Sequence, residues 1–282
     1  MTIKGPNAKR LAIYLLIVFA ASITLILFHR VTDESRTAFF LVQQLFCWSP
    51  AIACIVTRAL TKEGFRDMKL HFRLRGNFGY YLTAFVLPLT FVPAFMIIPA
   101  VMKGNTGWIS MVSASDTAAV IFQLAATAVF GSVGLLGEEL GWRGYMNQKM
   151  EPLFGTFGTC IIGGIIWGLW HVPIDAASYL LGYIKLSEML RDSAERMFIL
   201  IMLSVILMWL TKKTDSVFPA VILHAAYNGT VSVVDGMTGG GTAAKFGVEN
   251  VIGYLPLFMI AAVFMILLLK GNKKSEKAEK NA

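Results

Sequence analysis

The chain alternates long apolar runs with short polar connections. A membrane-spanning α-helix needs about 20 mostly apolar residues. Eight runs approach or reach that length: residues 11–28, 39–57, 78–102, 117–136, 154–172, 197–210, 217–234 and 251–269, of which the sixth is short. They do not alternate polar and apolar residues, as the strands of a transmembrane barrel would. The pattern therefore predicts an all-α protein, a polytopic transmembrane helical bundle with about eight spans.

One membrane-embedded domain is expected to fill residues 1–282. The first run follows basic residues, but it is long and no small-residue cleavage site follows it, so we predict a retained helix and not a signal peptide. Residues 271–282 are charged and are expected to form a disordered tail.

Composition and charge support this class. The chain is 56% hydrophobic, with a mean hydropathy of +0.65. Its net charge of +8 is explained by the excess of Lys and Arg on the cytosolic side of membrane proteins. Eight spans with both the N- and C-termini cytosolic place most of the 25 basic residues inside. We predict a multi-pass integral membrane protein with no nucleic-acid partner, in the plasma membrane if the host is bacterial.

The connection 58–76 is basic, with interleaved apolar residues such as Phe65 and Phe72. It is expected either to contact anionic membrane lipid or to act only as a topology determinant. Cys47, Cys54 and Cys160 all lie inside apolar runs, without metal-binding or disulfide spacing. They are interpreted as small core residues.

Two acids follow the fourth run directly and are candidates for chemistry, because ionisable groups at membrane depth are costly and commonly functional. Glu139 and Arg143 are four residues apart, so they share a helix face as an ion pair. Glu138 points about 100° away from Glu139 and is free to act elsewhere. A polar cap at the membrane edge is the alternative.

Two histidines lie in later runs. His171 is one helical turn after Trp167. Gly164 and Gly168, in the same run, form a pair of small residues that allows another helix to approach closely. His224 shares a face with Asn228, and the two side chains can together bind one oxygen. Alternatives are an interfacial histidine at position 171 and interhelical hydrogen bonding at positions 224 and 228.

The motifs span residues 138–228: Glu138-Glu139-x-x-x-Arg143, Trp167-x-x-x-His171 and His224-x-x-x-Asn228. Their order and spacing resemble the CPBP family, the group of CAAX proteases and bacteriocin-processing intramembrane endopeptidases also called Abi proteins. Trp167 departs from the family, which usually has phenylalanine there.

The resemblance implies a role for each residue. Glu138 would be the general base that activates water, with His171 assisting. His224 and Asn228 would bind the water or stabilise the oxyanion, and Glu139 and Arg143 would support the site. The substrate would be a membrane-associated peptide or lipidated protein.

Whether a metal takes part is left open by the residues. Glu138, His171 and His224 resemble the ligands of a catalytic zinc ion, but the chain lacks the HExxH motif of zinc proteases. The second functional hypothesis is a non-catalytic bacteriocin-immunity or regulatory membrane protein on the same scaffold. A proton-coupled transporter is a third, disfavoured because no repeated halves are evident.

Overall fold

The computed structural model describes residues 5–29, 36–102, 104, 122, 126, 131–237 and 248–280. Within these ranges the backbone forms helices and turns and no β-strand. A π-helical turn, Trp142–Met146, joins the fourth helix to the fifth. The helices are α1 (Pro6–His29), α2 (Arg36–Thr61), α3 (Phe78–Met102), α4 (131–141), α5 (Asn147–Leu180), α6 (Leu186–Thr214), α7 (Phe218–Met237) and α8 (Val248–Lys280).

Five stretches of the described residues are long and apolar enough to cross a membrane. They are Pro6–Thr24, Phe78–Pro99, Gly131–Leu180, Leu186–Thr214 and Val251–Asn272. The third has 50 residues, more than twice the length that one crossing needs. The all-α membrane bundle is confirmed, and the chain is an integral membrane protein. The count of eight spans and the cytosolic placement of both termini stay predictions.

Helix α4, the π-turn and the start of α5 form one arm of a hairpin. The backbone leaves the helical conformation at Gly155 (φ 66°, ψ 174°), a conformation that only glycine adopts readily. The rest of α5 then runs back along the first arm, so that a Cβ atom on Gly163 would lie 3.4 Å from Asn147 Oδ1. The turn at Gly155 therefore sets which residues of the two arms meet.

Glycines allow the helices around this hairpin to pack closely. A Cβ atom on Gly141 of α4 would lie 2.3 Å from Pro50 Cβ of α2. One on Gly164 of α5 would lie 2.5 Å from Ile201 Cα of α6. The close helix approach predicted at Gly164 and Gly168 is confirmed. These contacts are too short for any side chain, so the glycines fix the distances between the helices.

The predicted fourth span, 117–136, ended too early. Residues 131–136 lie in α4, which continues through Glu138 and Glu139 into the π-turn, while most of 117–130 lies outside the described residues. The apolar pattern stops at the first charge. Both carboxylates are nevertheless buried in protein, with 4% and 0% of their surface exposed, so they do not end the membrane helix.

The sixth span and the tail also differ from expectation. Helix α6 has 29 residues and extends on both sides of the short run 197–210. Arg196, the charge directly before that run, is paired: its Nη1 lies 2.7 Å from Asp175 Oδ2. Helix α8 continues to Lys280, so the tail 271–282 is helical as far as it is described. Its Lys, Glu and Ala residues favour helix.

Ion pairs around Glu63, in the connection after α2, stabilise one end of the bundle. Lys149 Nζ lies 2.6 Å and Arg10 Nε 3.2 Å from Glu63 Oε2, and the Tyr145 hydroxyl donates to Oε1 at 2.6 Å. Burial raises the pKa of the Glu63 carboxyl, but hydrogen bonds from Lys149 and Tyr145 outweigh it and hold the pKa below its ordinary value. Glu63 thus ties α1 and the hairpin to the end of α2.

Candidate active site

Glu138 lies on α4 between α2 and α5. Its Oε2 accepts a hydrogen bond from Trp167 Nε1 of α5 at 3.0 Å, and the Cys47 thiol of α2 is a second hydrogen-bonding neighbour. The close approach of α2 brings Cys47 there, since a Cβ atom on Gly137 would lie 2.8 Å from the Cys47 carbonyl oxygen. The free acid expected from the sequence is therefore held by groups from two other helices.

Glu139 joins α4 to α7. Arg143 Nη1 lies 3.0 Å from Glu139 Oε1, which confirms the predicted pair. The same oxygen lies 2.9 Å from His224 Nδ1. Because a carboxylate only accepts hydrogen bonds, this His224 nitrogen carries a proton, and Nε2 remains for water or substrate. Glu139 Oε2 is buried without a hydrogen-bond partner among the described residues.

Arg143 lies in the π-turn, and π-turns are frequent at functional sites. Its Nη2 donates to Ser204 Oγ of α6 at 3.3 Å, and its Cζ lies 4.1 Å from the ring centre of Trp167. Burying a guanidinium costs several kcal/mol unless it is paired. A carboxylate, a hydroxyl and an aromatic face together compensate that cost here.

His171 is half-buried on α5. Its Nδ1 lies 2.9 Å from the Trp167 carbonyl oxygen, and because a carbonyl only accepts, Nδ1 carries the proton. In the neutral ring Nε2 then has the free lone pair. The ring packs edge-on against Trp170 at a centroid distance of 4.7 Å. Pro173 does not end the helix, which continues to Leu180, so His171 lies within α5 and not at its end.

Asn228 stands apart from this network. It is exposed on α7, one turn beyond His224, and within the described parts of the chain no hydrogen bond to its side chain is present. The structure thus links His224 to Glu139 directly and to Arg143 through Glu139, and Glu138 to His171 only through Trp167. It leaves the Asn228 amide available.

Two contacts of the site were missed from the sequence. Cys47 was interpreted as a core residue, but it lies beside Glu138. Ser204, which binds Arg143, was not singled out, although a polar residue inside an apolar helix is a signal for helix-to-helix hydrogen bonding.

The site lies deep in the bundle. Ten residues of helix separate Glu139 from Lys149, which belongs to the charged end around Glu63. At 1.5 Å per residue that is about 15 Å, half of a hydrocarbon core about 30 Å thick. The acids therefore lie well inside the bundle, away from its charged end, in the stretch Gly131–Leu180 that is long and apolar enough to cross a membrane.

The side chains of the predicted metal ligands are not gathered into one cluster in the described residues. The part of the chain that the structure describes contains no group of three or more His, Cys, Asp or Glu side chains able to hold a metal ion. One donor atom of each predicted ligand, Glu138, His171 and His224, binds a protein group, while Nε2 of each histidine stays available.

Two comparisons with known proteins find similarity in the region that contains the site. Residues 117–230 match the sequence model of the Type II CAAX prenyl endopeptidase Rce1-like family. A 115-residue part of the chain is 28% identical to CAAX prenyl protease 2 of Methanococcus maripaludis. That match covers 40% of this chain and 40% of the relative. The matched region, residues 117–230, contains all six predicted site residues and is similar in sequence to the CAAX prenyl endopeptidases.

Proposed function

We propose that this chain is an intramembrane endopeptidase that hydrolyses a prenylated or otherwise lipid-modified peptide. The observation that carries the proposal is the buried Glu138, held by Trp167 beside the Glu139–Arg143–His224 group. Hydrolysis of a peptide bond needs a base for water and donors at the oxygen that becomes negative. The site contains groups of both kinds.

Glu138 acts as the general base. Its carboxylate takes a proton from a water molecule as the water oxygen bonds to the peptide carbonyl carbon. The same proton then passes to the nitrogen of the leaving group, and the C–N bond of the tetrahedral intermediate breaks. Charge and atoms balance in these two steps, and the products are a carboxylic acid and an amine.

The other groups bind and orient the reacting atoms. With Nδ1 of each histidine committed to a protein acceptor, His171 and His224 offer Nε2 lone pairs that orient the water. The Asn228 amide, which has no partner among the described residues, donates to the oxyanion. Glu139 and Arg143 hold His224 in place.

The substrate class follows from the membrane depth of the site and from the name of the archaeal relative, a CAAX prenyl protease. A lipid anchor keeps a peptide in the bilayer, where Glu138 can reach it. In the connection 58–76, Phe65 and Phe72 are 50% and 61% exposed, which supports contact of this connection with membrane lipid. A plasma-membrane location remains the proposal for a bacterial host.

The test compares full-length wild type with Glu138→Gln in liposomes. The substrates are a farnesylated CAAX peptide and the same peptide without the lipid, with products identified by mass spectrometry. We expect wild type to shorten the farnesylated peptide and Glu138→Gln to be slower by about 10²–10⁴-fold, as for other general bases. Asp192→Asn, which changes a half-exposed carboxylate paired with its neighbour Arg191, is the matched control and should keep the wild-type rate.

Equal rates for wild type and Glu138→Gln would refute the general base. No cleavage of either peptide by wild type would contradict the proposal and favour the non-catalytic alternative.

A further inference from the structure

Trp167 contacts four titratable groups of the candidate site: Glu138, Arg143, His171 and His224. Its indole N–H donates to Glu138 Oε2 at 3.0 Å. Its ring lies under Arg143, with 4.1 Å between Cζ and the ring centre, and meets the His224 ring at 5.1 Å and an interplanar angle of 79°. Its carbonyl oxygen accepts the proton on Nδ1 of His171 at 2.9 Å.

These contacts leave Trp167 little freedom. The side chain is 1% exposed and is packed between α4 and α7. A carboxylate bound to a rigid donor keeps one orientation, whereas a carboxylate in an apolar pocket turns about its last torsion angle. The indole nitrogen is therefore suited to fix the plane of the Glu138 carboxylate.

We propose that Trp167 is a positioning residue, whose indole N–H holds the Glu138 carboxylate in the orientation that accepts a proton from water. The expected effect on the cleavage rate rests on the proposed peptidase function. The contact between Trp167 and Glu138 rests on geometry alone. Phenylalanine at this position keeps the aromatic ring over Arg143 but removes the hydrogen bond to Glu138. The N–H group is the feature that the usual family residue lacks.

Trp170, one turn of helix away, offers a matched control. It is also fully buried and its ring also packs against His171. Its indole N–H, however, donates to Ser49 Oγ at 3.3 Å and not to an acid of the site. Replacement of either tryptophan by phenylalanine removes the same atoms from the core, so the two variants share any general packing effect.

The kinetic test measures kcat and KM for the farnesylated peptide with wild type, Trp167→Phe and Trp170→Phe in liposomes. Loss of one hydrogen bond to a reacting carboxylate is expected to lower kcat about tenfold in Trp167→Phe, with KM and the unfolding midpoint matching those of Trp170→Phe. A kcat equal to that of Trp170→Phe, or a loss confined to KM, would overturn the positioning role.

A second readout does not depend on activity. In protein labelled with ¹⁵N-tryptophan, the indole signals of Trp167 and Trp170 are assigned by their disappearance in the two phenylalanine variants. We expect Glu138→Gln to shift the Trp167 signal and leave the Trp170 signal in place. An unmoved Trp167 signal would refute the contact. A moved signal in a protein that cleaves no peptide would establish the contact and refute the proposed function.

Discussion

His224 Nδ1 lies 2.9 Å from Glu139 Oε1, the oxygen that also accepts the bond from Arg143. The sequence predicts only the Glu139–Arg143 pair, which is local to one helix. The additional bond makes Glu139 the link between the arginine on the α4 side and the imidazole on α7. A residue predicted as support is thus in direct contact with a residue predicted to bind the reacting water.

Removal of the Glu139 carboxylate should damage both stability and activity. Glu139→Leu leaves Arg143 buried without its acid, which typically costs about 3–5 kcal/mol. The double variant Glu139→Leu/Arg143→Met carries no unpaired charge and should unfold at a higher temperature than Glu139→Leu. Both variants should lose cleavage, because His224 has lost its anchor. Thermal unfolding in detergent measures the loss of stability. An unfolding temperature of the double variant that falls by the sum of the two single-variant effects would contradict the coupling between Glu139 and Arg143.

Asn228→Ala should separate the catalytic hypothesis from simple helix-to-helix bonding. The side chain is exposed, so its removal should change the free energy of unfolding by less than about 0.5 kcal/mol. Loss of an oxyanion donor should lower kcat by about 10²–10³-fold. The reverse result, a destabilised protein with normal kcat, would assign Asn228 to packing.

Gly141→Ala tests the contact between α2 and α4. The new methyl carbon would lie 2.3 Å from Pro50 Cβ and 2.5 Å from Pro50 carbonyl carbon, so the helices must separate. Overpacking of this kind costs about 1–3 kcal/mol or more, and it should move Cys47 away from Glu138 and lower the cleavage rate. Gly79→Ala in α3 is the control, since nothing lies within 4 Å of its added methyl. Equal unfolding midpoints for the two variants would refute the close contact.

Glu63 should make stability depend on pH. Its folded pKa lies below the ordinary value, so it stabilises the fold above the unfolded pKa of about 4.3 and loses that contribution as pH falls through the folded pKa. The difference between the unfolding midpoints of wild type and Glu63→Gln should therefore be largest at neutral pH and should shrink as the pH falls. A difference that is constant with pH would show that charge at Glu63 contributes nothing.

Chelation should leave cleavage unchanged, because the described residues offer no three-donor metal site. Cleavage is measured after dialysis against EDTA, and bound metal by mass spectrometry of the purified protein. A loss of cleavage that zinc restores would contradict this expectation and support the ligand set Glu138, His171 and His224.

The sequence by itself determined the class of fold and singled out the candidate site residues. Apolar runs about 20 residues long specify membrane helices, and spacings of four put Glu139 beside Arg143 because helix geometry is local. The same runs misplaced the end of the fourth span, since hydropathy counts a buried paired charge as if it were exposed. They also could not show that the charged tail continues α8.

Only the tertiary structure decided which side chains meet between helices. Helix periodicity fixes a residue's face but not its partner, and the partner depends on how far one helix slides along another. Here the turn at Gly155 and the close glycine contacts at Gly141 and Gly164 set that register. They bring Trp167 to Glu138, because two rigid helices that touch at backbone distance cannot shift by a turn without steric overlap.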